Sequence, residues 1–204
     1  VHDGKMQGAK TVEEQKAVID RVFADLNNDG IMDERDKKVV SPYSNTPEIM
    51  FGLNLSASWK GFDFSALFQG AANRNVMLSG FATQMFINGA SNLPKYLYED
   101  HWTPDNRDAR YPKAWGPDHP SNNKSSTFWL INGNYVRLKN VELGYSISKD
   151  LLSRVGVDRL RIYVGGSNLF SIDHMPGYDP EKQDGGPNYY PQQRVFNMGV
   201  NITF

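Results

Sequence analysis

Five stretches of the chain alternate apolar and polar residues with a period of two, the pattern of a strand with one apolar face. The cleanest alternation is in RVFNMGVNITF, at the end of the sequence. The first two stretches are separated by a single glycine, Gly61, which predicts a tight hairpin. The predicted strands cover about 47–60, 62–71, 134–147, 159–170 and 193–204.

The connections between these strands alternate in length. Those after residues 60 and 147 are short, whereas residues 1–46, 72–133 and 171–192 form long stretches rich in Gly, Pro, Asn and Asp. If successive strands are antiparallel neighbours, the short turns fall at one end of the sheet and the long loops at the other. A transmembrane β-barrel has this asymmetry, with short periplasmic turns and long extracellular loops.

Two architectures are compatible with the alternation. In a soluble β-sandwich the apolar face packs on a second sheet, whereas in a transmembrane barrel it faces lipid. Small polar residues on the other face and an aromatic girdle at the short-turn end favour the barrel. The girdle would consist of Trp59, Phe62, Tyr145 and Phe204. Because a barrel needs about eight or more strands, we expect this chain to be one piece of a longer protein.

Composition and charge exclude several classes of function. Lys and Arg total 22 and Asp and Glu total 23, so the chain lacks the basic surplus of a nucleic-acid-binding protein. The absence of cysteine excludes disulfide scaffolds and thiol nucleophiles. No stretch approaches the roughly 18 consecutive apolar residues of a membrane-spanning helix. Barrel strands alternate, so a mean hydropathy of -0.56 does not argue against a barrel.

The segment DLNNDGIMDERD, residues 25–36, has the spacing of a calcium-binding loop. Calcium takes about six to eight oxygen ligands around a tight turn, and Gly30 provides the turn. Asp36 stands where a longer, bidentate Glu is usual. The alternative is a surface turn that binds no metal. A short helix is predicted just before it, over residues 11–23. The predicted ligands are Asp25, Asn27, Asp29, the carbonyl oxygen of Ile31, Asp33 and Asp36.

Catalytic motifs are missing from the sequence. The four histidines lack metal-ligand spacing, and there is no nucleophile elbow, phosphate-binding loop or dinucleotide fingerprint, so we expect no enzyme. Aromatic residues in the long loops could contact substrate or a lid protein, since such rings stack on sugars and anchor protein partners. Packing within the loops is the alternative. The candidates are Trp102, Tyr111, Trp115, Tyr178, Tyr189 and Tyr190.

Seven segments, taken in order, resemble the C-terminal end of the SusC/RagA family of TonB-linked outer-membrane transporters. They are DLNNDGIMDERD, FGLNLSASWKGFDFSALFQG, HWTPDNRDARYP, NYVRLKNVELGYSI, LRIYVGGSNLF, GYDPE and YPQQRVFNMGVNITF. The resemblance implies an all-β fold, the last strands of an antiparallel barrel of about 22 strands. Residues 47–204 would belong to the barrel, and residues 1–46 would form an extracellular loop with the calcium-type segment.

The resemblance also implies a location in the Gram-negative outer membrane and the import of oligosaccharides or peptides. A plug would fill the barrel, TonB would act through a part absent from this chain, and a SusD-like surface lipoprotein would close the mouth. The cargo class is not readable, because plug and lipoprotein share in forming the cavity. The rival function is a secreted calcium-dependent glycan-binding or docking module on a soluble β-sandwich. The last strand resembles the family's membrane-assembly signal, carried by Phe196, Met198, Val200, Ile202 and Phe204.

Overall fold

A computed structural model describes residues 26–31, 34–86, 93–114, 125–152, 156–182, 190 and 192–204. The helix predicted over residues 11–23 lies outside this part of the chain. Within it, no helix is long and apolar enough to cross a membrane. The chain divides into two compact units. The sheet unit consists of Thr46–Arg74, Asn132–Lys182 and Tyr189–Phe204, and the loop unit of Val1–Asn45, Asn75–Ile131 and Gln183–Asn188.

The sheet unit is built on five strands that follow one another across the sheet in chain order. Each strand is antiparallel to its neighbours, which confirms the predicted all-β, antiparallel fold class. Among the described residues, the first and last strands of this sheet each pair on one side only. In the order of the sheet, the strands are β1 (Ile49–Trp59), β2 (Phe62–Ala72), β5 (Tyr135–Ser146), β6 (Arg159–Asp173) and β7 (Val195–Thr203), while β3 (Asn75–Met77) and β4 (Leu130–Asn132) pair with each other.

Short and long connections leave from opposite ends of this sheet. At the short-turn end, Lys60 and Gly61 join β1 to β2 with φ angles of 46° and 88°. Positive φ at both central residues defines a type I′ hairpin turn, whose twist matches that of the strands. At the same end, the connection between β5 and β6 includes a one-turn helix, α2 (Lys149–Leu152). The connections from β2 to β5 and from β6 to β7 are the long ones, at the other end.

The register of the sheet separates the residues into an apolar face and a polar face. Phe64 of β2 lies between Ala57 of β1 and Leu143 of β5, so apolar residues from successive strands align in rows. The neighbouring position, Ser65, lies between Ser56 and Glu142 on the other face. Because each strand alternates with a period of two, the same separation repeats along the sheet.

A β-bulge interrupts the alternation of β5 and the pairing between β5 and β6. Between the pairs Leu67–Asn140 and Phe68–Leu138, Lys139 is an extra residue in β5. Opposite it, β6 carries Asn168, whose φ angle of 54° is left-handed. The extra residue reverses the phase of the alternation in β5, so that Leu138 and Val141, three positions apart, lie on the same face.

The loop unit has its own small aromatic core. Trp129 is 2% exposed and packs edge-to-face on Phe128, with ring centroids 4.6 Å apart. Tyr111 stacks on Trp129 at 6.1 Å, and the hydroxyl of Tyr96 donates a hydrogen bond to the carbonyl of Ala82. The helical segments of this unit are α1 (Lys95–Glu99) and the 3₁₀ turns Glu34–Asp36 and Gly80–Ala82.

Candidate membrane-facing surface

The apolar face has exposed side chains in all five strands of the sheet unit, although Leu138 in the middle of β5 is only 8% exposed. Leu53 is 52% exposed, and Met198, near the other edge of the sheet, is 85% exposed. The described residues of the sheet unit contain no second sheet to cover this face. Three of its rows are Leu53, Phe68, Leu138 and Phe170, then Ala57, Phe64, Leu143, Val164 and Met198, then Trp59, Phe62, Tyr145, Ile162 and Val200. An extensive exposed apolar surface of this kind is typical of a membrane or protein contact.

Aromatic side chains gather at the short-turn end of this face. Trp59 pairs with Phe62 across the hairpin, and Phe62 pairs with Tyr145, their ring centroids 4.6 Å apart. Phe204 follows β7 at the same end and is 84% exposed. Lys60 lies over the Trp59 ring, 4.9 Å from its centroid. The row matches the predicted girdle, where amphipathic rings sit at a membrane–water interface.

The polar face carries an ion cluster near the short-turn end. Arg161 of β6 reaches across β5 and pairs with Asp63 of β2, its Nε lying 3.0 Å from the carboxylate. It also lies 2.6 Å from the carboxylate of Glu142. Its guanidinium occupies the space above Gly144, where a Cβ atom would clash with it. The glycine therefore allows one arginine to neutralise two carboxylates on neighbouring strands.

The long-loop end of the polar face holds a second set of charges, which the sequence analysis did not predict. Arg137 of β5 pairs with Asp179 and Glu181, which lie in the connection between β6 and β7. The only sequence signal is the motif GYDPE, whose partners are about 40 residues away, so spacing alone could not pair them.

Four of the six predicted calcium ligands lie in the described part of the chain. The carboxylate of Asp36 accepts the amide hydrogen of Leu26 at 2.8 Å and so closes the loop on itself. Asp29 accepts the amide hydrogen of Ile31 at 2.9 Å and pairs with Arg35 at 2.9 Å. Asn27 accepts the amide hydrogen of Asp29 at 2.8 Å.

These hydrogen bonds bring three predicted side-chain ligands into one short loop. A cation there would compete with Arg35 for Asp29. Asp25 and Asp33 lie outside the described residues, within which no three His, Cys, Asp or Glu side chains form a metal-binding group. The described part of the loop thus places oxygen atoms of Asn27, Asp29 and Asp36 in one short segment, with Arg35 paired to Asp29.

The predicted aromatic contact residues differ in how far their side chains are exposed to solvent. Tyr111 is buried in the loop-unit core, where burial raises the pKa of its hydroxyl group. Trp102 and Tyr178 are half-buried, and Tyr190 is 79% exposed. Trp115 and Tyr189 lie outside the described residues.

The last strand forms one edge of the sheet. Its predicted assembly residues alternate on the apolar face: Val200 pairs with Ile162, Met198 with Val164, and Ile202 with Leu160. Phe196 is 77% exposed. The backbone of this strand pairs with β6 on one side, so its other side is open to a further strand.

The sequence of this chain is similar to those of proteins named TonB-dependent receptors. The TonB-dependent receptor P3 of Formosa agariphila is 29% identical over 196 residues, which are 90% of this chain and 19% of that protein. The TonB-dependent receptor SusC of Bacteroides thetaiotaomicron is 25% identical over 195 residues, or 94% of this chain and 18% of that protein. No family model matches the chain.

A solved structure agrees with these sequence relatives. A chain in the structure of the RagAB peptide transporter is 28% identical and superposes with a TM-score of 0.62, over 80% of this chain and 18% of that one. This chain thus spans about a fifth of the length of the proteins it matches. The resemblance to the SusC/RagA family of TonB-dependent transporters is thereby confirmed, and the antiparallel sheet is part of the fold that the chain shares with these proteins.

Proposed function

We propose that this chain forms part of the wall of a TonB-dependent transporter barrel in the outer membrane of a Gram-negative bacterium. The observation that carries the proposal is the apolar face, which is exposed from β1 to β7 while the opposite face is polar. Lipid would cover the first face and water the second. The open edges of β1 and β7 would pair with the remaining strands of a closed barrel.

Strand length and the aromatic girdle support this placement. β1 and β2 have 11 residues each, and a tilted barrel strand needs about 9 to 11 to cross the hydrocarbon layer. The girdle row of Trp59, Phe62 and Tyr145 would mark the periplasmic interface. The long connections would then be extracellular, and β7 would run towards the periplasm and end near that interface with Phe204 as the assembly signal.

As cargo we propose oligosaccharides or peptides too large for simple porins. The similarity to SusC and to the RagAB peptide transporter supports a nutrient importer, and RagAB is a peptide transporter by name. A SusD-like lipoprotein would cover the extracellular mouth, and TonB and a plug would act through other parts of the protein. Of the aromatic candidates, Trp102, Tyr178 and Tyr190 have exposed surface for such contacts, whereas the burial of Tyr111 fits a packing role. We propose no catalytic role.

We further propose that calcium binds the loop of residues 25–36 and has a structural role there. The supporting observations are the alternating oxygen donors and the closure of the loop by Asp36. Calcium would replace Arg35 as the counter-charge of Asp29 and stiffen the extracellular segment before β1.

The transporter proposal is tested on the full natural protein that contains this chain. Membrane fractionation and heat-modifiable electrophoretic mobility would detect a folded barrel, and affinity purification in mild detergent would recover a bound surface lipoprotein. Recovery in the outer membrane with both properties is the expected result. Recovery as a soluble monomer would refute the proposal and favour the calcium-dependent binding module, in which the apolar face would be covered by protein.

A further inference from the structure

A cluster of buried opposite charges joins the last long loop to the polar face of the sheet. Arg137 lies 2.9 Å from Asp179 and 3.0 Å from Glu181, and the side chains of Arg137 and Asp179 are 7% and 9% exposed. Charged groups are rarely buried unless they are paired and hydrogen-bonded. The ion pairs therefore hold the carboxylates of Asp179 and Glu181 at a defined position against Arg137 of β5.

Two more cationic side chains, those of Lys139 and Arg74, bind the same segment. Lys139 lies 2.8 Å from the carboxylate of Glu181, which also accepts a hydrogen bond from Gln192 at 2.8 Å. Arg74, which follows β2 and is 2% exposed, donates hydrogen bonds to the carbonyl oxygens of Pro180 and Lys182. Side chains from three separate places in the chain thus hold one short stretch of loop.

The side of the sheet on which this happens follows from the register. Arg137 aligns with Gln69 of β2 and Ser171 of β6, both on the polar face. The segment 177–182 therefore folds over the polar face. Asp179 also accepts the amide hydrogen of Glu181 at 2.9 Å, a local turn that points both carboxylates the same way.

We propose that Arg74, Arg137 and Lys139 form a latch, called here the loop latch, that holds residues 177–182 as a fixed inner lining of the polar face. In this arrangement the segment is an immobile part of the wall and does not open as a flap. Together with the proposed function, which places the polar face inside a barrel, the latch narrows the interior near its extracellular end. The contacts themselves do not depend on that function.

The latch is tested by thiol accessibility, because the 204 residues contain no cysteine. Met175 lies two residues before the segment 177–182 and is 8% exposed. The substitution Met175→Cys therefore places a thiol that is shielded from solvent in the unbroken latch. Its exposed neighbour is replaced in His174→Cys to give a reporter accessible in every background. Both are made in the full natural protein with any other cysteine removed, and the rate of reaction with a membrane-impermeant maleimide is measured.

The latch is then broken in two ways, by Arg137→Met and by Glu181→Gln. Arg137→Met removes two ion pairs of the cluster, and Glu181→Gln removes the carboxylate that both Arg137 and Lys139 contact. We therefore expect the thiol at position 175 to react about tenfold faster or more in both variants. The thiol at position 174 should react at its original rate. The matched control is Arg107→Met. This change removes an exposed loop arginine that donates a local hydrogen bond to the carbonyl of Pro104, and it should change neither rate.

Unchanged labelling at position 175 in both folded variants would overturn the latch. If Arg137→Met does not fold, Glu181→Gln and Lys139→Gln decide by the same criterion, and failure of all three to fold would show a role in strand assembly, which also overturns it. The transporter proposal fails on a different observation, which is the recovery of the full natural protein as a soluble monomer. Maleimide labelling needs no membrane, so the latch is decided in either case.

Discussion

Replacing Leu53 by arginine tests directly whether the apolar face contacts lipid. Leu53 lies near the middle of the 11-residue strand β1, in the row that continues through Phe68, Leu138 and Phe170. At about 3.4 Å per residue and a tilt near 45°, β1 spans about 26 Å along the membrane normal, close to the apolar band of about 25 Å in such barrels. Leu53 would therefore lie close to the bilayer midplane.

The expected magnitude follows from this depth. An arginine at the midplane of a barrel's lipid face costs about 2–4 kcal/mol, and one near the interface about 0–1 kcal/mol. Leu53→Arg should thus lower the ratio of folded to unfolded protein by about 30- to 900-fold. Phe62 pairs directly with Trp59 next to the hairpin, at the girdle, so Phe62→Arg should have the smaller cost. The adjacent polar-face change Asn54→Arg is the matched control and should cost little.

Equilibrium unfolding of the full natural protein in urea, from liposomes, measures these differences. Heat-modifiable mobility would report in parallel whether each variant reaches the folded state. The reasoning is refuted if Leu53→Arg is as stable as Asn54→Arg, because lipid could not then surround Leu53. It is also refuted if Phe62→Arg costs more than Leu53→Arg, since the hairpin end of the sheet would then lie deeper in the bilayer than the middle of β1.

Three further predictions concern the hairpin, the loop unit and the calcium loop. Gly61→Val should cost about 1–3 kcal/mol in urea unfolding, because φ is 88° and a Cβ would lie 2.8 Å from the Ser146 carbonyl oxygen, whereas Lys60→Asn should be neutral or stabilising. Trp129→Ala should remove about 3–5 kcal/mol from the loop unit and speed its proteolysis without unfolding the sheet unit. Adding EDTA should speed cleavage within residues 25–36, and Asp29→Asn should abolish the difference; equal rates with and without calcium in the unmutated protein would refute a metal site.

Alternation predicted the sheet well because each strand has one apolar and one polar face. The hairpin at Gly61 and the strand that ends at Thr203 follow directly from this pattern. The strand predicted at 159–170 continues instead to Asp173, since Ile172 extends the apolar face beyond the bulge at Asn168. Phe170 and Ile172 keep the phase of Ile162 and Val164 across the bulge, so the alternation itself does not mark where the strand ends.

Other features depend on contacts that no local pattern contains. The strands β3 and β4 have three residues each, too few for a period to be visible, and they lie inside a stretch interpreted as a loop. The sequence does not distinguish a packed aromatic core from exposed contact residues, because composition does not show whether Tyr111 packs or faces solvent. The loop latch joins Arg137 to residues 42 and 44 positions away, and this pairing depends on the path of the loop.

The bulge in β5 determines the face on which two charged residues of that strand lie. Counting in twos from Val141 leads to Lys139 and then Arg137, so an unbroken strand would place both cations on the lipid side. A charge there costs about 2–4 kcal/mol near the midplane. The extra residue at Lys139 reverses the phase, so that Arg137 aligns with the polar Gln69, and Lys139 and Arg137 both contact Glu181. The irregularity that makes this stretch hard to interpret from sequence thus also directs the two cations to the polar side, where they hold the loop.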